Sequence, residues 1–171
     1  MVSSGFLKTK SLDKSPWLQA SIALRLLVIC YEYPPVGGGG GVGVASIMEA
    51  VAAQGNEVDV ITSRFSHVPS MEKMNGVTVR RVSALRSESY PGFLKSSQRT
   101  TSTLSLAAFV PSSIAEALRL ASSRKPDIIH GFFVVPSGLS AVLASRVCES
   151  PTIVTAAGAD VFDPTRFCTR R

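Results

Sequence analysis

Apolar and polar positions alternate along the chain in blocks that predict strands and helices in turn. Leu24 to Cys30 is a nearly continuous apolar run, the signature of a central parallel strand. A helical spacing follows from about Val42 to Gln54, with Val44, Ile47, Met48, Val51 and Ala52 on one face and Gly55 as its stop. Val58 to Thr62 is a second strand, so strand, helix and strand form a right-handed crossover unit. Ser63 to Asn75 reads as a polar loop, and Asn75-Gly76 as the turn before a third strand, Val77 to Val82. Ser83 to Thr100 shows no period. Ser102 to Ser123 is helical around Pro111, which predicts a kink or two abutting helices, with Ile114, Leu118 and Ala121 buried. Asp127 to His130 is the fourth strand. Pro136 to Cys148 is a helix with an apolar stripe of Leu139, Val142, Leu143 and Val147, and Thr152 to Thr155 is the fifth strand.

This alternation predicts an α/β class: a Rossmann-like parallel sheet with helices on both faces. Residues 1–21 are polar and aperiodic and read as a poorly ordered leader, so the domain is expected over 22–171. In such sheets ligands bind beyond the carboxyl ends of the strands. Four segments then share one rim: the glycine run after the first strand, Ser63-Arg64, His130-Gly131, and Gly158 to Asp160.

The glycine run, Gly37, Gly38, Gly39, Gly40 and Gly41, lies between a strand and a helix. Bare amides beside the positive end of a helix dipole make a seat for a phosphate or another anion; a plain surface loop is the alternative. Gly38, Gly40 and Gly43 also match GxGxxG, the dinucleotide pattern. Against that pattern, the glycines begin about seven residues past the strand, where the dinucleotide turn is tight. The acid expected after the second strand is replaced by Ser63-Arg64. Arg64 facing a 2′-phosphate keeps an NADP-dependent oxidoreductase as a weak alternative. No lysine follows the glycines, so the nucleotide-triphosphate loop is absent. His130 reads equally as a donor to a phosphate or sugar hydroxyl and as a histidine bonded to its own backbone surroundings. Asp160 reads as a sugar-hydroxyl acceptor or, slightly better, as a cap of the next turn.

Composition changes this picture little. The 171 residues are 45% hydrophobic and 18% charged, a globular balance with a net charge of +6. That charge admits a phosphorylated substrate, an acidic lipid surface or nucleic acid. Cys30, Cys148 and Cys168 are odd in number and scattered, which predicts inert thiols, no zinc site and a cytoplasmic setting. Ile22 to Tyr31 is too short for a membrane span and contains Arg25.

The stretch LLVICYEYPPVGGGGGVGVASIMEAVAAQGNEVDVIT resembles the opening of family 4-type glycosyltransferases. PDIIHGFFVVPSGLSAVLASR and PTIVTAAGADV are similar to later segments of the same domain, in the same order. The resemblance covers roughly Leu24 to Phe167 and implies one half of a GT-B fold, two facing Rossmann-like domains around a cleft. It implies transfer from a nucleotide-sugar donor, with no separate cofactor and no metal. This domain would hold the sugar or lipid-linked acceptor, at times peripherally at a membrane, and nucleic acid is not expected. Gly37 to Gly41 would face the donor diphosphate; His130, Gly158, Asp160 and Arg64 would lie on the acceptor side. Family members often carry histidine where Ala157 stands. The donor-binding half is not in these 171 residues, which predicts little or no transfer by the chain alone and a sticky patch on the carboxyl rim. A stand-alone acceptor-binding module is the other reading.

Overall fold

In the computed structural model the described residues are 22–35, 38–65, 68–84 and 99–157, with backbone alone for 99–107. Six strands form one sheet: β1 (Arg25–Cys30), β2 (Glu57–Ser63), β3 (Met71–Met74), β4 (Val77–Val82), β5 (Ile128–Phe132) and β6 (Thr152–Thr155). Their spatial order is β3-β4-β2-β1-β5-β6. All neighbours are parallel except β3 and β4. Three helices accompany the sheet among the described residues: α1 (Gly39–Ala53), α2 (Arg99–Ser123) and α3 (Leu139–Cys148). The α/β Rossmann-like class expected from the sequence is therefore the fold.

The central strands are buried on both faces, as the apolar first strand requires. Val28, Cys30, Val60 and Val79 pack on one side with Val44, Ala45 and Met48 of α1. Leu27, Ile29, Ile61 and Ile129 pack on the other with Phe109 and Ala117 of α2 and Ala141 and Ala144 of α3. The register Val28↔His130 and Cys30↔Phe132 places His130 and Phe132 on the α1 side. Gly55 follows α1 at φ +92°, the left-handed stop that a glycine supplies.

Several expected elements change. Ser63 to Asn75 is not all loop, because Met71–Met74 forms an antiparallel edge strand. Asn75 and Gly76 both have positive φ and join it to β4 as a tight hairpin. Its Glu72 and Lys73 hide the alternation that marks a half-buried strand. The helix through Pro111 is continuous from Arg99 to Ser123, and its buried positions are Phe109, Ser113 and Ala117, while Ile114, Leu118 and Ala121 are half-buried. Ile47 points outward at 52% exposure, and Ala45 takes its place in the core. Pro136 belongs to a turn, Val134–Gly138, closed by the Gly138 amide donating to the Phe133 carbonyl at 2.8 Å; α3 starts only at Leu139.

The largest correction concerns α3. Leu139, Val142, Leu143 and Val147 are exposed, and the buried face is Ser140, Ala141 and Ala144. Small residues let α3 approach α2 closely enough for the Ser113 and Ser140 hydroxyls to bond at 2.9 Å in the core. A separate close approach, of β5 to the turn before α3, explains Gly131: a Cβ there would lie 2.7 Å from the Gly138 Cα.

Candidate functional site

The carboxyl ends of β1, β2 and β5 converge on Tyr31. Its carbonyl accepts from the Ser63 hydroxyl at 2.6 Å and from Thr62 at 3.4 Å. Its amide donates to the Ser137 hydroxyl at 2.9 Å. These groups are buried, so each bond offsets the cost of removing a polar atom from water. They fix the start of the chain segment that carries Glu32, Tyr33 and the two prolines toward α1.

Arg81 of β4 holds the same segment from the other side. Its guanidinium is buried, donates to the carbonyls of Pro34 and Pro69 at 3.0 Å each, and pairs with Glu72 at 2.5 Å. One side chain thus ties the Tyr-Pro-Pro turn to the β3–β4 hairpin.

The glycines do not form a loop ahead of a helix that begins at Val42. Gly39, Gly40 and Gly41 are the first turn of α1, and Gly38 is its N-cap. Helix propensity disfavours glycine here by about 1 kcal/mol per residue relative to alanine, so packing must decide. At Gly40 a Cβ would meet the Phe133 ring at 2.6 Å; at Gly41 it would meet the Glu32 carbonyl oxygen at 3.1 Å. At Gly38 and Gly39 it would meet nothing. The two inner glycines are there for close approach, and the outer two leave the helix terminus bare.

That terminus carries amides with no partner inside the helix, at the positive end of the dipole. The Gly38 amide donates to the Glu32 carboxylate at 3.2 Å. The first turn itself holds no acidic residue. A carboxylate of the protein therefore already sits where an anion is favoured. The dinucleotide alternative fares poorly, since eight residues, Tyr31 to Gly38, separate β1 from α1.

His130 is not the last residue of its strand. β5 runs on to Phe132, which sets His130 two residues inside the sheet. Its Nε2 lies 2.8 Å from the Thr155 hydroxyl, and its ring stacks on Phe132 at 4.0 Å. Burial holds its pKa below the ordinary 6.5, which favours the neutral ring. Arg64 lies past β2 with an exposed side chain, and its amide donates to the Val82 carbonyl at 2.8 Å. Gly37, Gly158 and Asp160 lie outside the described residues. The rim thus brings together Glu32, Gly38 to Gly41 and Phe133, with Arg64 apart from them beside the end of β4 and His130 set deeper. Phe133, at φ +73°, turns the chain out of β5 and shapes the floor beneath Gly40.

The two described thiols, Cys30 and Cys148, are held protonated, and Cys168 lies outside the described residues. Burial pushes the Cys30 thiol up to about 12, and its hydrogen bonds the Glu32 carbonyl at 2.9 Å. Burial also raises the Cys148 thiol. Among the described residues no group of three His, Cys, Asp or Glu side chains is placed to hold a metal. No helix among them is long and apolar enough to cross a membrane. A cavity of about 360 Å³ opens at the opposite rim between β1, β2, β4 and α2. Its Arg25, Arg80, Arg119 and Arg124 are each paired with a carboxylate.

The chain shares this architecture with known proteins. A sucrose-phosphate synthase of Thermosynechococcus elongatus superposes with a TM-score of 0.56 over 83% of this chain and 36% of that one, at 17% identity. A second solved chain of the same synthase gives 0.52 over 80% of this chain and 65% of that one, at 16% identity. These show the fold. In sequence, an uncharacterized glycosyltransferase of Methanocaldococcus jannaschii is 32% identical over 108 residues, which is 63% of this chain and 24% of that protein. The chain therefore spans about a quarter of the length of this relative. The family model for the glycosyl transferase 4-like domain matches residues 38–171. The chain belongs to the glycosyl transferase 4-like domain family.

Proposed function

We propose that this domain forms the acceptor-side wall of a sugar-transfer cleft, and that its α1 terminus faces the diphosphate of a nucleotide-sugar donor. The observation that carries the reading is the first turn of α1. Gly38 and Gly39 bring no side chain to that terminus, Phe133 and the Glu32 carbonyl pack beneath Gly40 and Gly41, and the Glu32 carboxylate on the Gly38 amide is what an entering diphosphate displaces. A diphosphate needs amide donors and a positive dipole end without side chains in the way.

Chemistry then divides between two walls. This wall places the acceptor hydroxyl and contributes amides to the departing diphosphate. His130 and Arg64, with Gly158 and Asp160, are the acceptor-side candidates. With its Nε2 engaged by Thr155, the neutral His130 ring has its other nitrogen, Nδ1, for a hydroxyl. A second, donor-holding domain excludes water and supplies most of the electrostatic stabilisation of the leaving group. The 171 residues alone therefore transfer little or no sugar.

A transfer assay with a radiolabelled nucleotide-sugar tests this division. The chain alone gives background counts. Fused to the remaining three quarters of the Methanocaldococcus jannaschii relative, a folded chimera gives counts above either part. Robust turnover by the chain alone, or a folded chimera that transfers nothing, contradicts the reading. A stand-alone acceptor-binding module would give the second result.

A further inference from the structure

Arg81 occupies a position that the strand period reserves for the core. Val77, Val79 and Arg81 alternate onto one face of β4, where the two valines pack with α1. Arg80 turns the other way, to Asp59 and Glu116. A guanidinium in a valine's place takes a charge out of water, and only a full set of partners offsets that. Arg81 has such a set, drawn from three stretches of chain: Pro34 after β1, Pro69 before β3 and Glu72 within β3. Its own amide donates to the Ser70 carbonyl at 2.8 Å. A planar fork of five donors serves acceptors on separate segments at once; a lysine ammonium does not span the same spread.

The Pro34 carbonyl is the partner that bears on the rim. Pro34 and Pro35 have no N–H to donate, so a carbonyl is the handle that this turn offers. The neighbouring Tyr33 hydroxyl is buried without a hydrogen-bond partner among the described residues, so that side chain supplies packing and no polar anchor. The same short segment supports the α1 terminus. The Glu32 carboxylate accepts from the Gly38 amide, and the Glu32 carbonyl oxygen lies 3.1 Å from where a Gly41 Cβ would stand. We propose that Arg81 is a positioning residue for that terminus. Through the Pro34 carbonyl it fixes segment 32–35, and so the direction in which the amides of Gly38 to Gly41 point. The β3–β4 hairpin thereby becomes a support of the diphosphate seat, although it touches no ligand. The ligand's part in this rests on the proposed function; the placing of the terminus is a property of the free chain.

Amide NMR of the chain and three variants, free and with inorganic pyrophosphate, tests this. Arg81→Met keeps the length and apolar packing of the side chain and removes its donors. Arg81→Lys keeps the charge, and carries the test by itself if Arg81→Met does not fold. Ala144→Gly loosens the buried face of α3 on the opposite side of the sheet, and controls for lost stability alone. In the free chain Arg81→Met should move the amides of Gly38 to Gly41, Arg81→Lys should move them less, and Ala144→Gly should leave them in place. With pyrophosphate, Arg81→Met raises Kd about tenfold, a shift of about 1.4 kcal/mol, and Ala144→Gly leaves it unchanged. Glycine amides unmoved in both Arg81 variants, or one Kd for all the chains, overturn the inference. An equal disturbance by Ala144→Gly overturns it as well, since stability alone then accounts for the effect. If the unaltered chain binds no pyrophosphate while the Arg81 variants still move the glycine amides, the positioning role stands and the proposed function falls.

Discussion

At the scale of single residues, the site is held by groups whose partners lie far away in sequence. Tyr31 meets Ser63 and Ser137, and Arg81 meets Pro34 and Pro69. No local spacing encodes such pairs. His130 is the residue whose surroundings make the clearest demand. Burial lowers its folded pKa, so the unfolded chain takes up a proton first as pH falls. Its neutral contribution to stability is present above about pH 6.5 and is lost as pH falls through the lowered folded value. The thermal midpoint should therefore drop between pH 7 and 5, and His130→Gln should flatten that drop. Proton NMR titration of the ring checks the cause: a His130 pKa at or above 6.5 contradicts it. The loss is separate from the acid limb, where Glu116 and Asp127 sit below their ordinary values beside arginines.

Among the elements, long apolar runs were legible and the pieces set by packing partners were not. β1, β4 and β6 follow from their apolar or alternating residues, and the crossover order follows from the alternation of periods. β3 was hidden because an edge strand with Glu72 and Lys73 shows no period. In α3 the apolar stripe was real, yet it faces outward, because Ser140, Ala141 and Ala144 are what allow contact with α2. The first turn of α1 was read as loop because helix propensity argues against glycine, and the contact with Phe133 that overrides propensity joins residues nearly a hundred positions apart. Glu32 and Phe133 carried no signal of their own beyond proximity to the motif. A pair of substitutions separates propensity from packing in that turn. Gly39→Ala enters open space and should raise stability by up to about 1 kcal/mol. Gly41→Ala gains the same propensity but presses on the Glu32 backbone, so it should be net destabilising, by about 1 kcal/mol. Denaturant melts read both; equal effects would show that Gly41 has no packing role.

For the whole molecule, the sheet order places every parallel strand's carboxyl end on one side, which is why the rim was foreseeable before any side chain was located. The six-stranded sheet has two unlike edges. One is closed by the β3 hairpin, tied down by Arg81, and among the described residues the other ends in β6. The candidate rim lies between them, above β1, where the strand order reverses. The chain belongs to the glycosyl transferase 4-like family, and our proposal gives that rim the sugar-transfer chemistry and makes the α1 terminus its address for a diphosphate.

Amide chemical shifts measured while a nucleoside diphosphate is added test that address most directly. Binding by one wall of a cleft is weak, and fast-exchange shifts detect it. The amides of Gly38 to Gly41 should move together, with Glu32 side-chain signals following as its carboxylate gives up the Gly38 amide, and NADPH should not reproduce the pattern. Shifts confined to other parts of the chain, or none at saturating diphosphate, would contradict the account.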